Sequence, residues 1–525
     1  MIPERYVSRL RMLLPELEHR MSVLTAPARH HGRVSGVIPQ ASFTDLQNDP
    51  GSPDGHPDPQ IQKSTTNSHN ESQRDLDTPD FLNPELLDTA LKELTGRLAR
   101  HYPFHHPCYA GQMLKPPHPA AWLAYSLAMT INPNNHALDG GPESSYMEKE
   151  VVQELLRFSG FPTEGTGHLT SSGTIANLEA LWVARELHPD RPIGISSNAH
   201  YTHSRMCRLL RHPFVVIPDG ADGLPDPELF DPAGPLPGTV VVTLGTTGLG
   251  TVEPLHRITK WAKRNGVRVH VDAAYGGFFH LIRGSGWIDP APWEALHHAD
   301  SIVMDPHKHG LQPYGCGSVL FQDAGVQGIY KHDSPYTYFT SDELHLGEIS
   351  LECSRAGSSA IALWFTLKVL PLDPIAKQDG DYDVDGEVLP STVKTGAVFG
   401  QSILRCRRAA LQFYKALADS GSYRPLLKPD LDIVTFLPHT NEKSYSAVSS
   451  RSEAILKQGM SPGSAYPLFL STLEVPAGQA QRLLPDYEVD RDHVNVLRSV
   501  LMKPEHLDFL PELQLRLDGL FHQTA

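Results

Sequence analysis

Apolar runs of membrane-spanning length are absent from this chain of 525 residues, so no membrane helix is expected. Cysteine is scarce as well. Cys108, Cys207, Cys316, Cys353 and Cys406 are scattered and odd in number, which fits neither a disulfide framework nor metal-ligand spacing and suits a reducing, cytoplasmic compartment. Positive charge is in short supply: 45 Lys and Arg against 60 Asp and Glu give a formal net charge of -15. A nucleic-acid partner is therefore not expected, because phosphate binding needs a cationic excess. The first residues lack the unbroken apolar core of a secretory signal, since Glu4, Arg5, Arg9 and Arg11 interrupt it, and Glu4, Glu16 and Glu18 argue against a mitochondrial leader.

The residues that are present describe a globular protein. Hydrophobic residues make up 40% and charged residues 20%, and the length allows two or three domains. Residues 1–35 read as a short helical segment, with Val7, Leu10, Leu14 and Leu17 on one face and a disturbance at Pro15. Residues 36–80 read as a disordered linker, dense in turn formers and too poor in apolar anchors to offset its ordering entropy. Over 81–135 helices are expected, from the spacing of Leu86, Leu87, Ala90, Leu91, Leu94 and Leu98 and from Trp122 to Met129. A large domain fills 136–372, and a polar insertion covers 373–396. The insertion's acidic run Asp379–Gly386 lacks the closing Glu of a calcium loop, so no metal is expected there. A smaller α+β domain takes 397–525.

Within the large domain, helical patterns at 151–158 and 174–186 alternate with short apolar runs at 193–195, 214–217, 240–244, 267–271, 302–304 and 318–321. This alternation predicts an α/β fold with a mostly parallel central sheet flanked by helices, and a ligand site at the carboxyl ends of its strands.

Five local signals fall at or near such ends. Thr170-Ser171-Ser172-Gly173-Thr174 opens a strong helix, where free amides and the helix dipole favour an anion; an ordinary Ser/Thr cap is the plainer alternative. His200 follows a strand in Asn198-Ala199-His200-Tyr201-Thr202-His203, and its ring could stack on a flat ligand. His200 and His203 lack the HExxH context of a metal pair, so no metal is expected. Gly245-Thr246-Thr247-Gly248 is a turn flexible enough for backbone to approach a ligand. Asp272 closes one strand, with the small Ala274 just beyond, and Lys308 follows another in Asp305-Pro306-His307-Lys308-His309-Gly310. An acid and a lysine presented this way are what an enzyme needs to hold pyridoxal 5'-phosphate (PLP). The amine forms a Schiff base with the aldehyde, and the acid keeps the pyridine nitrogen protonated.

In these motifs the chain resembles the group II PLP-dependent amino-acid decarboxylases, the aromatic-amino-acid and tyrosine enzymes among them. The resemblance runs from about His106 to Pro371, includes Ser350-Leu351-Glu352-Cys353-Ser354-Arg355, and weakens through Leu501-Met502-Lys503-Pro504. It implies PLP fold type I (aspartate-aminotransferase-like) and a homodimer with interface active sites, residues 81–135 helping to dimerise. It implies Lys308 as the Schiff-base lysine, Asp272 on the ring nitrogen, and His200 and Ala274 on the two ring faces. Ser172, Gly173, Thr174 and His307 would hold the phosphate, with Thr246 nearby. Tyr109, and Asn135 or His136 from the partner subunit, would shape the substrate pocket. Tyr336 or Tyr338, with Tyr338 favoured, would return a proton after decarboxylation. Two positions depart from the family pattern, Ser172 where Gly is usual and Glu253 where Asp is usual.

The implied activity is decarboxylation of an L-amino acid, aromatic and tyrosine-like first. The rival expectations are aldehyde formation by decarboxylation with oxidative deamination, transamination, and a pseudoenzyme that keeps only the fold. The two loop tyrosines favour simple decarboxylation, because proton return competes with oxygen.

Overall fold

A computed structural model describes residues 83–231, 234–331, 346–375 and 398–524. The expected N-terminal segment and linker, the insertion beyond Ile375, and Tyr336 and Tyr338 lie outside the described residues. Among those described, no helix is long and apolar enough to cross a membrane.

Seven strands form the larger sheet: β1 (Thr166–Thr170), β2 (Ile193–Ser196), β3 (Phe214–Ile217), β4 (Thr239–Thr243), β5 (Arg268–Asp272), β6 (Ser301–Met304) and β7 (Gly317–Phe321), in the order β1-β7-β6-β5-β4-β2-β3. Only β7 runs against the rest. Val240, Val241, Val242, Val271, Ile302 and Val303 are all fully buried. Both faces of the sheet are covered, which is why these strands read as continuous apolar runs rather than alternating ones.

β1 has no such run and was not legible. Its Thr-Gly-His-Leu-Thr sequence is wholly buried all the same, because His168 finds Glu179 at 2.7 Å. A buried polar side chain is tolerated when it is paired. The helix Gly173–Leu187 follows β1, capped by the Ser172 hydroxyl, which accepts from the Ile175 amide at 3.3 Å.

The smaller unit begins with the helix Val398–Asp419. Its antiparallel sheet comprises β8 (Tyr423–Pro425), β9 (Ile433–Pro438), β10 (Ser471–Pro476) and β11 (His493–Val500), ordered β10-β11-β9-β8. β10 begins only at Ser471, so the apolar residues just before it lie outside this sheet. Phe469 pairs instead with the segment around Tyr109, its amide donating to the Cys108 carbonyl and its carbonyl accepting from the Ala110 amide. The buried Arg407 joins the two units, donating to the carbonyls of Trp287, Pro429 and Leu431.

Candidate active site

Strand ends set the site. Asp272 is the last residue of β5, and Lys308 stands four residues beyond the end of β6. Both line one cavity of about 180 Å³, together with Ser172, Gly173, Thr174, His200, Ala274 and His307. Eight of the residues singled out from sequence therefore meet in one place.

The Asp272 carboxylate is almost fully buried. One oxygen accepts from the Ala274 amide at 3.1 Å, and the other takes the His203 ring N–H at 2.9 Å. Burial alone would push this carboxyl up. The hydrogen bond and charge of His203, with the charge of Lys308, outweigh it and hold Asp272 well below the usual carboxylate range. A permanently ionised acid thus faces the cavity. His203 was missed as a partner of Asp272; its position three residues after His200, one residue into the helix Thr202–Leu209, gave no sign of which strand it would meet.

The Lys308 amine is partly exposed and lies 3.0 Å from Asp305, a second carboxylate at the cavity wall. Asp305 also pins Gly173: a Cβ at Gly173 would fall 2.4 Å from its Oδ2. The helix start therefore passes close to the lysine loop, and only glycine leaves room. Among the described residues no acceptor takes the Gly173 or Thr174 amide, so these donors face the cavity free. His307 donates through Nδ1–H to the Cys316 carbonyl, 2.7 Å away, which fixes its ring. His200 is tied to Thr202 at 2.6 Å, and burial lowers its pKa, favouring an uncharged ring that can lie against a flat ligand.

An amine, an ionised acid behind it, an uncharged imidazole and free helix amides form a set that fits PLP: Lys308 for the aldehyde, Asp272 for the ring nitrogen, and Ser172, Gly173 and Thr174 for the phosphate. Thr246 does not line the cavity. Its hydroxyl lies 2.8 Å from that of Thr251 within its own turn, and Thr247 takes the lining position instead. Tyr109, Asn135 and His136 do not line the cavity of their own chain. Asn135 is fully buried and bonded to Ser144 and Glu148, so its side chain has no face to offer a partner, whereas His136 is half-buried.

Residues 228–378 match the family model described as the pyridoxal-dependent decarboxylase conserved domain. An L-tyrosine decarboxylase of Enterococcus faecium is 28% identical over 407 residues, which span 58% of this chain and 66% of that protein. An L-2,4-diaminobutyrate decarboxylase of Rhizobium meliloti (strain 1021) is 31% identical over 277 residues, 49% of this chain and 55% of that one. The chain thus covers between about half and two thirds of the length of these curated relatives. Among solved structures, Catharanthus roseus tryptophan decarboxylase in complex with L-tryptophan aligns with a TM-score of 0.71 at 15% identity, covering 100% of this chain and 99% of that one. That likeness shows the fold, which is fold type I.

Proposed function

We propose that the chain belongs to the group II PLP-dependent decarboxylase family, which the family model and the curated relatives support, and that it converts an L-amino acid, tyrosine-like first, into its amine and carbon dioxide. The observation that carries this reading is the presentation of the Lys308 amine and the Asp272 carboxylate to one cavity. PLP, when bound, supplies an electron sink for the bond that breaks as carbon dioxide leaves.

The chain's own residues do the rest. Lys308 would hold the cofactor through its amine. Asp272 holds a proton on the ring nitrogen, kept charged by His203. The Gly173 and Thr174 amides, with Ser172 and His307, hold the phosphate. His200 and Ala274 confine the ring from its two faces. Tyr338, or Tyr336, returns the proton to the α-carbon. Tyr109 and the partner subunit's His136 shape the substrate pocket. The tyrosine-like preference is supported by the name of the Enterococcus faecium relative.

A homodimer is supported by an apolar surface that none of the described residues covers. Trp122 is 60% exposed, Leu127 62% and Ile131 73%, on and just after a single short helix.

Lys308→Ala tests the reading. The purified variant is expected to lose the visible absorbance of bound cofactor and all release of carbon dioxide from tyrosine, while the wild type yields amine and carbon dioxide in equal amounts. Turnover by the variant would refute the role of Lys308. Aldehyde and peroxide as the main wild-type products would make the protein an aldehyde synthase instead.

A further inference from the structure

Beside the lysine loop lies a buried polar group that the reaction does not use, and one of its members, Tyr275, also lines the cavity. Asp432 stands immediately before β9 of the smaller unit, and its side chain is fully buried. One carboxylate oxygen accepts from the Tyr275 hydroxyl at 2.6 Å. The other lies 3.1 Å from His309 Nε2, and both of those side chains are fully buried. Tyr275 comes three residues after Asp272, and His309 comes directly after Lys308. The two loops that carry the cofactor-binding acid and amine therefore each send their next polar side chain to the same carboxylate, across the boundary between the two units.

We propose that Asp432 is a positioning residue, a small-unit carboxylate that holds the Asp272 and Lys308 loops in register through Tyr275 and His309. This rests on the reading of Lys308 as the cofactor lysine.

Three observations support the clamp. The Tyr275 and His309 rings meet edge to face at 4.8 Å, and His309 meets Phe279 at 5.1 Å, so neither polar side chain has room to swing away. A carboxylate so deep is tolerated only when it is partnered, and here the Tyr275 hydrogen bond and the close approach of His309 both come from the other unit. Finally, the Leu501 amide donates to the Asp432 carbonyl at 2.8 Å, and Arg407 holds the carbonyl of Leu431, which fixes the backbone bearing the carboxylate. Burial would raise the Asp432 carboxyl, yet His309, Tyr275 and Lys115 bring it below its usual range, so the clamp stays charged.

The arrangement has a mechanical consequence. Turning the smaller unit moves Asp432, and the lysine loop and the acid loop move with it. Holding the cofactor and seating the two units are then one event.

Asp432→Asn tests this, since it keeps the shape but removes the charge that both the Tyr275 hydroxyl and His309 face. Tyr275→Phe is the second variant, removing only a hydroxyl. Two readouts are used. One is the rate at which PLP leaves the loaded protein, with the visible circular dichroism of the bound cofactor. The other is the rate at which trinitrobenzenesulfonate labels Lys308 in the cofactor-free protein, located by peptide mass spectrometry. For Asp432→Asn, cofactor release about tenfold faster, weakened visible dichroism and faster Lys308 labelling are expected, with far-ultraviolet dichroism unchanged. Adding Tyr275→Phe to Asp432→Asn should do little more, because both act through one carboxylate. Wild-type release and labelling rates in either folded variant, or fully additive effects in the pair, would overturn the clamp. If the wild type takes up no PLP, the functional reading fails, and Lys308 labelling in the cofactor-free protein still decides the clamp.

Discussion

Asp272 and Glu253 are carboxylates on neighbouring strands or their edges, both buried, and their environments push them in opposite directions. Asp272 has His203 and stays charged. Glu253 receives hydrogen bonds from Ser196 and from the Thr243 amide, yet burial pushes its carboxyl from 4.5 up to about 7. The sign follows from linkage: a raised folded pKa gives stability that is complete below about pH 4.5 and is lost as the pH rises through about 7. Glu253→Gln should remove that loss and leave the variant more stable than wild type above pH 7, by on the order of 3 kcal/mol. Urea unfolding at pH 5 and pH 8 checks it, and parallel curves for the two proteins would refute it. His203→Ala acts on the other carboxylate. It strips a buried oxygen of its partner, and a stability loss of about 1–3 kcal/mol with weaker cofactor affinity is expected, read by thermal unfolding and PLP titration.

At the scale of elements, the site depends on how tightly β7, the helix Gly173–Leu187 and the lysine loop pack. A Cβ at Gly317 in β7 would fall 2.6 Å from the Ser172 carbonyl carbon, and one at Gly173 would strike Asp305 at 2.4 Å. Gly173→Ala is therefore expected to displace either the helix start or Asp305 and to abolish cofactor retention. The measurement is visible absorbance after gel filtration, and wild-type retention would refute the close approach. Strands β2 to β7 were legible because each is a short apolar run between turn formers. β1 was not, because His168 is buried only through Glu179, eleven residues on, and strand patterns carry no sign of such a partner.

For the whole molecule, the proposed homodimer contact falls on the exposed apolar residues of the helix Pro119–Ala128. Leu127→Glu places a charge on that surface and is expected to shift the protein toward monomer in analytical ultracentrifugation, with lower activity. An unchanged sedimentation coefficient would refute this interface. The boundary between the two units matters within one chain, since Arg407 and Asp432 both cross it.

The amino-acid sequence alone determined the choice of cofactor, PLP, and the fold class. An acid that closes one apolar run and a lysine just beyond another are local signals, set by a few adjacent residues and by short apolar runs between turn formers. Tertiary structure alone decided what holds those groups in place. His203 meets Asp272 across 69 positions and Tyr275 meets Asp432 across 157. Side chains so far apart in the chain are brought together by sheet order and by the seating of one unit on the other, and no local pattern encodes either. The same reason placed Thr247 rather than Thr246 at the cavity and sealed Asn135 inside its own subunit. A motif names the turn, but the packing around it chooses which side chain faces inward.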